Sequence, residues 1–302
     1  MMPSISFIMP AYNCVTTIGE SVASIMEGNF QKGDEVIIVN DHSTDTTENV
    51  LNDLKLRYCG ISVIKHLQNK GGGAARNTAV ENAHNQIIFC LDSDNILVPG
   101  SIEKLKRFMI DAGADVAAFR EVHFFKEKKD QITHAWEFKA GSVTLADYLA
   151  GGRVPGASGN YMFTKESWVR AAGYPEFTFL DTWGFGLRQV ATGSIMVTLS
   201  DSYYLHRYGH DSYWVREDKK GKTSVEAWQV LMPFSELLDN RDIDFIMSRT
   251  GQTTWFNGQD RRPIRVKSGE VGRNGIEFKL KGAITRRGFC NFFNHLFIIR
   301  QK

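Results

Sequence analysis

Residues 87–95 read IIFCLDSDN, a short apolar run that stops at two aspartates. Two other runs, residues 5–9 and 36–39, end in the same way, in PAYN and in VNDHSTD. Short runs rich in β-branched and aromatic residues predict buried parallel strands. In an open parallel sheet, ligands bind in the crevice outside the carboxyl ends of the strands. Four side chains are therefore expected to converge on one site: Asn13, Asp41, Asp92 and Asp94.

The carboxylates of this group would repel one another at such an edge. A divalent cation whose shell is completed by phosphate oxygens is the usual way to relieve that repulsion. The alternative is a lysine or arginine close by, because buried carboxylates without any cationic partner are costly. The aspartates therefore predict a metal-dependent nucleotide site.

The chain has 302 residues, of which 42% are hydrophobic, and is long enough to bury a full core. Strand and helix patterns alternate through residues 1–115, which predicts an α/β fold with a mostly parallel central sheet flanked by helices. Beyond residue 115 the pattern changes to a hairpin, with strands at 115–125 and 131–138. We predict a first domain at 1–212, with halves 1–115 and 116–212, and a C-terminal extension at 213–302.

The net charge of +2 is unevenly distributed. Residues 261–302 carry eleven basic and two acidic side chains, a formal charge of +9, which leaves −7 for the rest. This segment ends in GFCNFFNHLFIIR, whose apolar groups suit either a packed helix or peripheral contact with the inner face of an anionic membrane. No signal for a nucleic-acid partner or for an oligomeric state is present.

The cysteines have no paired spacing, and no apolar run approaches the roughly 20 residues needed to span a bilayer. The first residues lead directly into a strand pattern, without a basic leader. We therefore expect a cytoplasmic protein.

Six motifs, taken together, resemble those of one enzyme family. Over residues 4–210, their order and spacing are similar to the GT-A fold, inverting glycosyltransferases of family 2. That resemblance implies a Rossmann-like fold for nucleotide-diphospho-sugar transferases, and transfer of a sugar from a nucleoside diphosphate to an acceptor hydroxyl. The motifs are PAYN, VNDHSTDTT, NKGGGAARNTA, LDSDN, GYPEFTFLDTWGFGLRQ and LHRYGHDSYW.

The resemblance also implies which residues bind the donor. Asp41 would accept a uracil N–H, which favours a UDP-sugar. The alternative role of Asp41 as a helix cap is weakened, because Asp45 already fits the cap of the following helix. The glycines at 71–73 either let the backbone approach an anion at a helix N-terminus or simply form a loop. The full set of expected donor residues is Pro10, Tyr12, Asn13, Asp41, Gly72, Arg76, Asp92 and Ser93.

For the metal, the resemblance implies Asp94 as a direct ligand and His206 as a further one, with Asp92 reaching the ribose or a metal-bound water. Without the resemblance, a lone histidine is more often structural. A shell with both nitrogen and oxygen suits Mn²⁺ better than Mg²⁺, although either cofactor fits the prediction. His210 and Arg207 are secondary candidates, the latter for the charge of the diphosphate.

Inverting transfer needs a base that removes the proton of the acceptor hydroxyl, and a carboxylate is sufficient once the acceptor is aligned. Asp181 is the candidate base. The family usually has Glu-Asp at this place, whereas this chain has Asp181 followed by Thr182. If the catalytic position falls on Thr182 the base is missing, and Asp181 then serves only as a helix cap. On the acceptor side we expect Trp183 and Asn160.

The sequence therefore predicts a metal-dependent inverting glycosyltransferase that uses a nucleotide-sugar donor and a glycan or lipid-linked saccharide acceptor. A sugar nucleotidyltransferase is one alternative, although its glycine and basic signature should follow the first strand, where PAYNCVTT stands. A non-catalytic nucleotide-sugar or glycan-binding protein is the other, because Thr182 departs from the family pattern.

Overall fold

The three apolar runs that lead into polar motifs form adjacent parallel strands, as predicted. The computed structural model describes residues 2–149, 153–209, 223–231 and 234, and three short strands near the C-terminus. The three runs lie in β1 (Ile5–Ala11), β2 (Glu35–Asn40) and β4 (Ile87–Cys90). With β3 (Ile61–Lys65) they have the order β3-β2-β1-β4. Helices α1 (Ile18–Met26), α2 (Thr47–Arg57) and α3 (Gly72–Glu81) connect them.

The register of these strands aligns their carboxyl ends. Ala11 pairs with Asn40, and Ile8 pairs with Cys90. The polar residues that follow β1, β2 and β4 therefore emerge along one edge of the sheet. This is the geometry that the sequence predicted.

The second half extends the same sheet with strands of mixed direction. The predicted hairpin is confirmed, because β6 (Val116–Phe125) pairs antiparallel with β7 (Ile132–Glu137). Strand β9 (Met162–Thr164) lies antiparallel between β4 and β6. Strand β10 (Met196–Arg207) runs parallel to β6. The other elements of this half are β5 (Ile96–Leu97), α4 (Ser101–Asp111), β8 (Gly141–Val143), α5 (Leu145–Leu149), α6 (Lys165–Arg170), α7 (Asp181–Ala191) and α8 (Thr223–Leu231).

Helices cover both faces of the sheet, and each face has its own core. Along β1, Ile8 packs in one core while Phe7 and Met9 pack in the other, because successive strand residues point to opposite faces. Helices α1, α2 and α4 cover the Phe7 side, whereas α3 and α7 cover the Ile8 side. The described part of the chain therefore has the α/β architecture with flanking helices that the sequence predicts.

Residues beyond 212 contribute to this architecture. Val230 and Leu231 of α8, together with Phe234, belong to the core on the Ile8 side. The division after residue 212 stays a prediction, but side chains from both sides of it share one core.

Most of the basic segment at 261–302 lies outside the described residues, apart from the strands β11 (Ile264–Val266), β12 (Ile276–Phe278) and β13 (Arg300–Gln301). Its predicted role at a membrane surface therefore stays a prediction. Among the helices that the structure describes, none combines the length and the hydropathy required to cross a bilayer.

Candidate active site

The loops that follow β1 and β2 hold each other in place through Asn13. Its Oδ1 accepts a hydrogen bond from the backbone amide of Thr44 at 2.8 Å, and its own backbone amide donates to Ser43 Oγ at 3.1 Å. Asn13 has a φ of 49°, a left-handed conformation in which asparagine is enriched. Tyr12 beside it is 41% exposed, and Pro10 is half-buried. Asn13 thus braces the PAYN turn against the VNDHSTD loop.

Asp41 is buried and holds the loop that leads into α3. Its Oδ1 accepts the Lys70 amide at 2.9 Å and lies 2.7 Å from His66 Nδ1, which donates because an ionised carboxylate only accepts. Its Oδ2 accepts the Gly71 amide at 2.8 Å. Asp41, which is predicted to bind the uracil base, therefore also fixes the backbone at the start of the glycine run.

Each glycine of the run at 71–73 has a different structural reason. Gly71 has a φ of 90°, where glycine avoids the strain of a side chain. A Cβ on Gly72 would lie 2.7 Å from Arg76 Nη1, and one on Gly73 would overlap the carbonyl oxygen of Pro175. Gly72 and Gly73 therefore leave room for groups of the protein itself, and the approach of this run to an anion stays a prediction.

Arg76 joins the two aspartates that carry most of the predicted chemistry. Its Nη1 lies 2.5 Å from Asp181 Oδ2, and its Nη2 lies 2.6 Å from Asp92 Oδ1. The guanidinium is buried, and it also lies over the ring of Tyr174, 5.8 Å from the centroid. Arg76 therefore fixes the distance between Asp92 and Asp181.

Burial and charge act in opposite directions on Asp181. Burial raises the pKa of its carboxyl, whereas the Arg76 guanidinium lowers it, and the net direction is upward. The same aspartates raise the pKa of Arg76, which stays charged. Because Arg76 also pairs with Asp92, that carboxylate has a cationic partner within the protein. The alternative named from the sequence, a nearby arginine, is what the structure contains at this position.

Asn160 and Asp92 form a reciprocal pair. Asn160 Oδ1 accepts the Asp92 amide at 2.7 Å, and Asn160 Nδ2 donates to Asp92 Oδ2 at 3.1 Å. Gly159 has a φ of 79°, and a Cβ there would lie 3.5 Å from Asp92 Oδ2. Asn160, which was expected on the acceptor side, is thus hydrogen-bonded to Asp92.

Asp94 and His206, the two predicted metal ligands, are both half-buried. His206 Nδ1 lies 3.4 Å from the hydroxyl of Tyr204, and the pKa of that phenol is raised, chiefly by burial and to a smaller extent by the charges of Asp92 and Asp94. Of the two, His206 has a direct contact with Tyr204. Within the described part of the chain, no group of three or more acidic, histidine or cysteine side chains could hold a metal ion.

Arg207 ties this loop to the rest of the fold. Its Nε donates to the Asp94 carbonyl at 3.3 Å, and its amide donates to Asn95 Oδ1 at 3.1 Å. Its Nη2 lies 2.5 Å from Glu20 Oε2. The guanidinium considered for the diphosphate is therefore already paired with a carboxylate.

The remaining predicted residues lie at the margins of this group. Ser93 is half-buried and hydrogen-bonds the thiol of Cys14, whose pKa is raised to about 11, chiefly by burial. Trp183 is half-buried and packs against the core on the Ile8 side. His210 lies outside the described residues.

Two structural residues of the site were not predicted. Asn77 bonds to the backbone of Tyr174 in both directions, at 2.8 and 2.9 Å, which ties α3 to the segment before Asp181. An asparagine inside a helix is unfavourable, and this was the signal available in the sequence. His66, which binds Asp41, gave no signal, because a lone histidine has no informative pattern.

The sequence model of the family described as "Glycosyl transferase family 2" matches residues 6–171, more than half of the chain. The chain belongs to glycosyl transferase family 2. It has the GT-A fold, as the motifs predicted. The matched range includes Arg76, Asp92 and Asp94 but ends before Asp181 and His206.

Individual relatives of this family 2 member are similar over part of their length. The chain is 38% identical over 132 residues to WfaP of Escherichia coli, named "UDP-Glc:alpha-D-GlcNAc-diphosphoundecaprenol beta-1,3-glucosyltransferase", covering 44% of this chain and 50% of WfaP. It spans about half or less of the length of the curated relatives it matches.

Two solved structures have a similar fold. Staphylococcus aureus TarS 1–349 in complex with UDP has a TM-score of 0.58 and 19% identity, covering 82% of this chain and 66% of that chain. The mannosyltransferase PcManGT from Pyrobaculum calidifontis, in complex with GDP-Man and Mn²⁺, has a TM-score of 0.53 and 18% identity, covering 75% of this chain and 63% of that chain.

Proposed function

We propose that this family 2 member is a metal-dependent inverting glycosyltransferase. It moves a sugar from a UDP donor to a hydroxyl of a glycan or lipid-linked saccharide. The observation that carries the proposal is the bridge of Arg76 between Asp92 and Asp181, because it joins the donor loop to the candidate base. The donor and acceptor classes are supported by the UDP complex of TarS and by the name of WfaP.

Asp181 is the proposed general base. Burial raises its pKa, and a base whose pKa lies nearer the working pH accepts a proton more effectively. Arg76 occupies its Oδ2 on one side, and a carboxylate has further lone pairs with which to accept the proton of an acceptor hydroxyl. The hydroxyl oxygen then attacks the anomeric carbon opposite the departing UDP, which inverts the configuration.

The proposed nucleotide contacts follow from the braced loops. Asp41 Oδ2 accepts one amide, from Gly71, and a carboxylate oxygen can accept a second donor such as the uracil N–H. Tyr12 is exposed at the same edge and offers a ring face to the base.

Asp94 and His206 are the proposed ligands of a cation. One or two protein ligands completed by phosphate oxygens are usual for Mg²⁺, and a carboxylate with an imidazole suits Mn²⁺. Such an ion would stabilise the negative charge of the leaving diphosphate. The protein itself offers little charge for this purpose at Arg76 and Arg207, because both guanidinium groups are paired with carboxylates.

The charged segment at 261–302 would approach an acceptor held at a membrane.

The test is UDP release from UDP-glucose and UDP-N-acetylglucosamine in the presence of Mn²⁺. Asp181→Asn is expected to lower release by about 10²-fold while UDP affinity stays unchanged, because it removes the base and leaves Arg76 paired with Asp92. Asp94→Ala is expected to abolish the Mn²⁺-dependent part of UDP binding. Asp53→Asn, at an exposed position of α2, is the control and should behave as wild type.

Three results would contradict the proposal. UDP binding without release would indicate a binding protein. Pyrophosphate formed from UTP and a sugar phosphate would indicate a nucleotidyltransferase. Full activity of Asp181→Asn would remove the base from Asp181.

A further inference from the structure

Helix α8 brings a carboxylate to the turn that precedes Asp181. Glu226 Oε2 accepts the hydroxyl of Thr178 at 2.8 Å and the amide of Phe179 at 2.7 Å. Thr178 and Phe179 are 9% and 7% exposed, so these bonds are largely shielded from water. The loss of an acceptor at such a position leaves a buried amide unsatisfied, which is costly.

The hydrogen bonds continue from Glu226 into α7. Thr178 Oγ1 accepts the amide of Leu180 at 2.9 Å, and the Leu180 carbonyl accepts the amide of Gly184 at 2.8 Å. Leu180 directly precedes Asp181, the first residue of α7. Glu226 is therefore linked to the first turn of this helix by consecutive hydrogen bonds.

A second contact joins α8 to the same turn. A Cβ on Gly184 would lie 3.1 Å from Val230 Cγ1, which puts α8 directly against the backbone of α7. Val230 belongs to the same core as Phe185. Helix α8 thus contacts α7 on the residues before and after Asp181.

We propose that Glu226 is a positioning residue for Asp181, acting through the turn at 178–180. This inference rests on the proposed function, in which Asp181 is the base. Arg76 holds the carboxylate of Asp181 from one side, and Glu226 holds the backbone that carries it. A displacement of about 1 Å can lower a rate by about 10²-fold, so this support affects the chemistry and not only the fold. The C-terminal part of the chain thereby contributes to the active site.

The experiment compares Glu226→Ala with Glu226→Gln. The glutamine oxygen can still accept both hydrogen bonds, whereas alanine accepts neither. Glu226→Ala is expected to lower kcat for UDP release about tenfold or more, with the affinity for UDP and Mn²⁺ unchanged. Glu226→Gln is expected to stay within about threefold of wild type, because it retains the acceptor. Glu166→Ala removes an ion pair of 2.6 Å with Arg170 on α6 and is the control, with wild-type kcat expected.

A second measurement does not depend on turnover. Amide hydrogen exchange at residues 179–184 is expected to be faster in Glu226→Ala than in wild type, and unchanged in Glu226→Gln. A wild type that releases no UDP would contradict the proposed function, while the exchange data would still decide whether Glu226 holds the turn. The inference is overturned if kcat of Glu226→Ala equals that of wild type, if Glu226→Gln loses as much, or if exchange at 179–184 does not change.

Discussion

Arg76 accounts for most of the electrostatic order of the site. Its single guanidinium binds two carboxylates, Asp92 and Asp181, that are 89 positions apart from each other along the sequence, and all three groups lie largely out of water. A buried ion pair gains little over apolar packing, but removal of one partner leaves an uncompensated charge. The arrangement is therefore expected to be far more sensitive to the loss of Arg76 than a surface ion pair would be.

Arg76→Ala is expected to lower the free energy of unfolding by about 3–5 kcal/mol, because it leaves the buried Asp181 carboxylate and the half-buried Asp92 carboxylate without their cationic partner. In the double variant Arg76→Ala/Asp181→Asn, one of these charges is removed and part of that loss should be recovered. Urea denaturation of both variants measures the difference. Arg107→Ala, which breaks an exposed helical pair with Glu103, is the control and should change stability by less than about 0.5 kcal/mol. A double variant no more stable than the single one would show that charge burial is not the cause.

The pH dependence of the reaction follows from the state of Asp181. A general base must be ionised, so the rate falls as pH falls through its pKa. Burial raises that pKa and Arg76 offsets it only in part. The acidic limb of kcat/KM is therefore expected at a higher pH than an ordinary aspartate would give. Steady-state rates across the acidic and neutral range measure it, and the residual activity of Asp181→Asn should lack this limb.

At this scale the sequence predicted candidate residues but not their partners. Asp41, Asp92 and Asp181 each lie within a recognisable motif. The hydrogen bond from Arg76 to Asp181, in contrast, joins residues 105 positions apart. Nothing local to either residue encodes such a contact. The motif around Asp92 does not show that the Arg76 guanidinium pairs with this carboxylate.

At the scale of elements, the glycine run at the start of α3 determines how closely this helix approaches the segment that carries Asp181. Gly73 has no room for a side chain because of the Pro175 carbonyl, and Gly72 leaves space for the Arg76 guanidinium. Larger residues here would push α3 away from α7. The run is thus part of the packing between two helices.

Gly73→Ala is expected to destabilise the fold and to lower UDP release, because α3 must shift and carries Arg76 with it. Gly19→Ala is the matched control: its Cβ would meet nothing within 4 Å in α1, and alanine should stabilise the helix by up to about 1 kcal/mol. Thermal unfolding and turnover of both variants measure these effects. Equal behaviour of the two variants would contradict the close approach at Gly73.

Strands could be predicted more accurately than helix α7. The apolar runs of β1, β2 and β4 are continuous, so their ends are visible in the sequence. Helix α7 begins with DTWGFG, and its two glycines conceal its start because glycine disfavours helices. Both are required by packing: a Cβ on Gly184 would lie 2.8 Å from Pro175 Cγ, and one on Gly186 would overlap the hydroxyl of Tyr148. Such contacts appear only in the folded structure.

For the molecule as a whole, the core includes residues from beyond the family match. Phe234 is 1% exposed and lies in the same core as Val230 and Leu231. The division predicted after residue 212 rested on a change of composition and charge. Composition does not reveal a helix that returns to the core after a charged stretch.

Phe234→Ala is expected to lower the free energy of unfolding by about 3–5 kcal/mol, the usual cost of removing a buried phenylalanine. Val169→Ala is the control, since Val169 is 63% exposed and should change stability by less than about 0.5 kcal/mol. Chemical denaturation measures both. A negligible effect of Phe234→Ala would show that the chain after residue 212 is an independent appendage.

Asp41 accepts hydrogen bonds from the backbone amides of Lys70 and Gly71, and these bonds affect how quickly a ligand associates. A loop that is fixed by its own protein does not have to be ordered by the incoming molecule, so the entropy of ordering it does not slow the encounter. We therefore expect nucleotide association to be governed by diffusion and orientation, with second-order kinetics that do not saturate as ligand concentration rises.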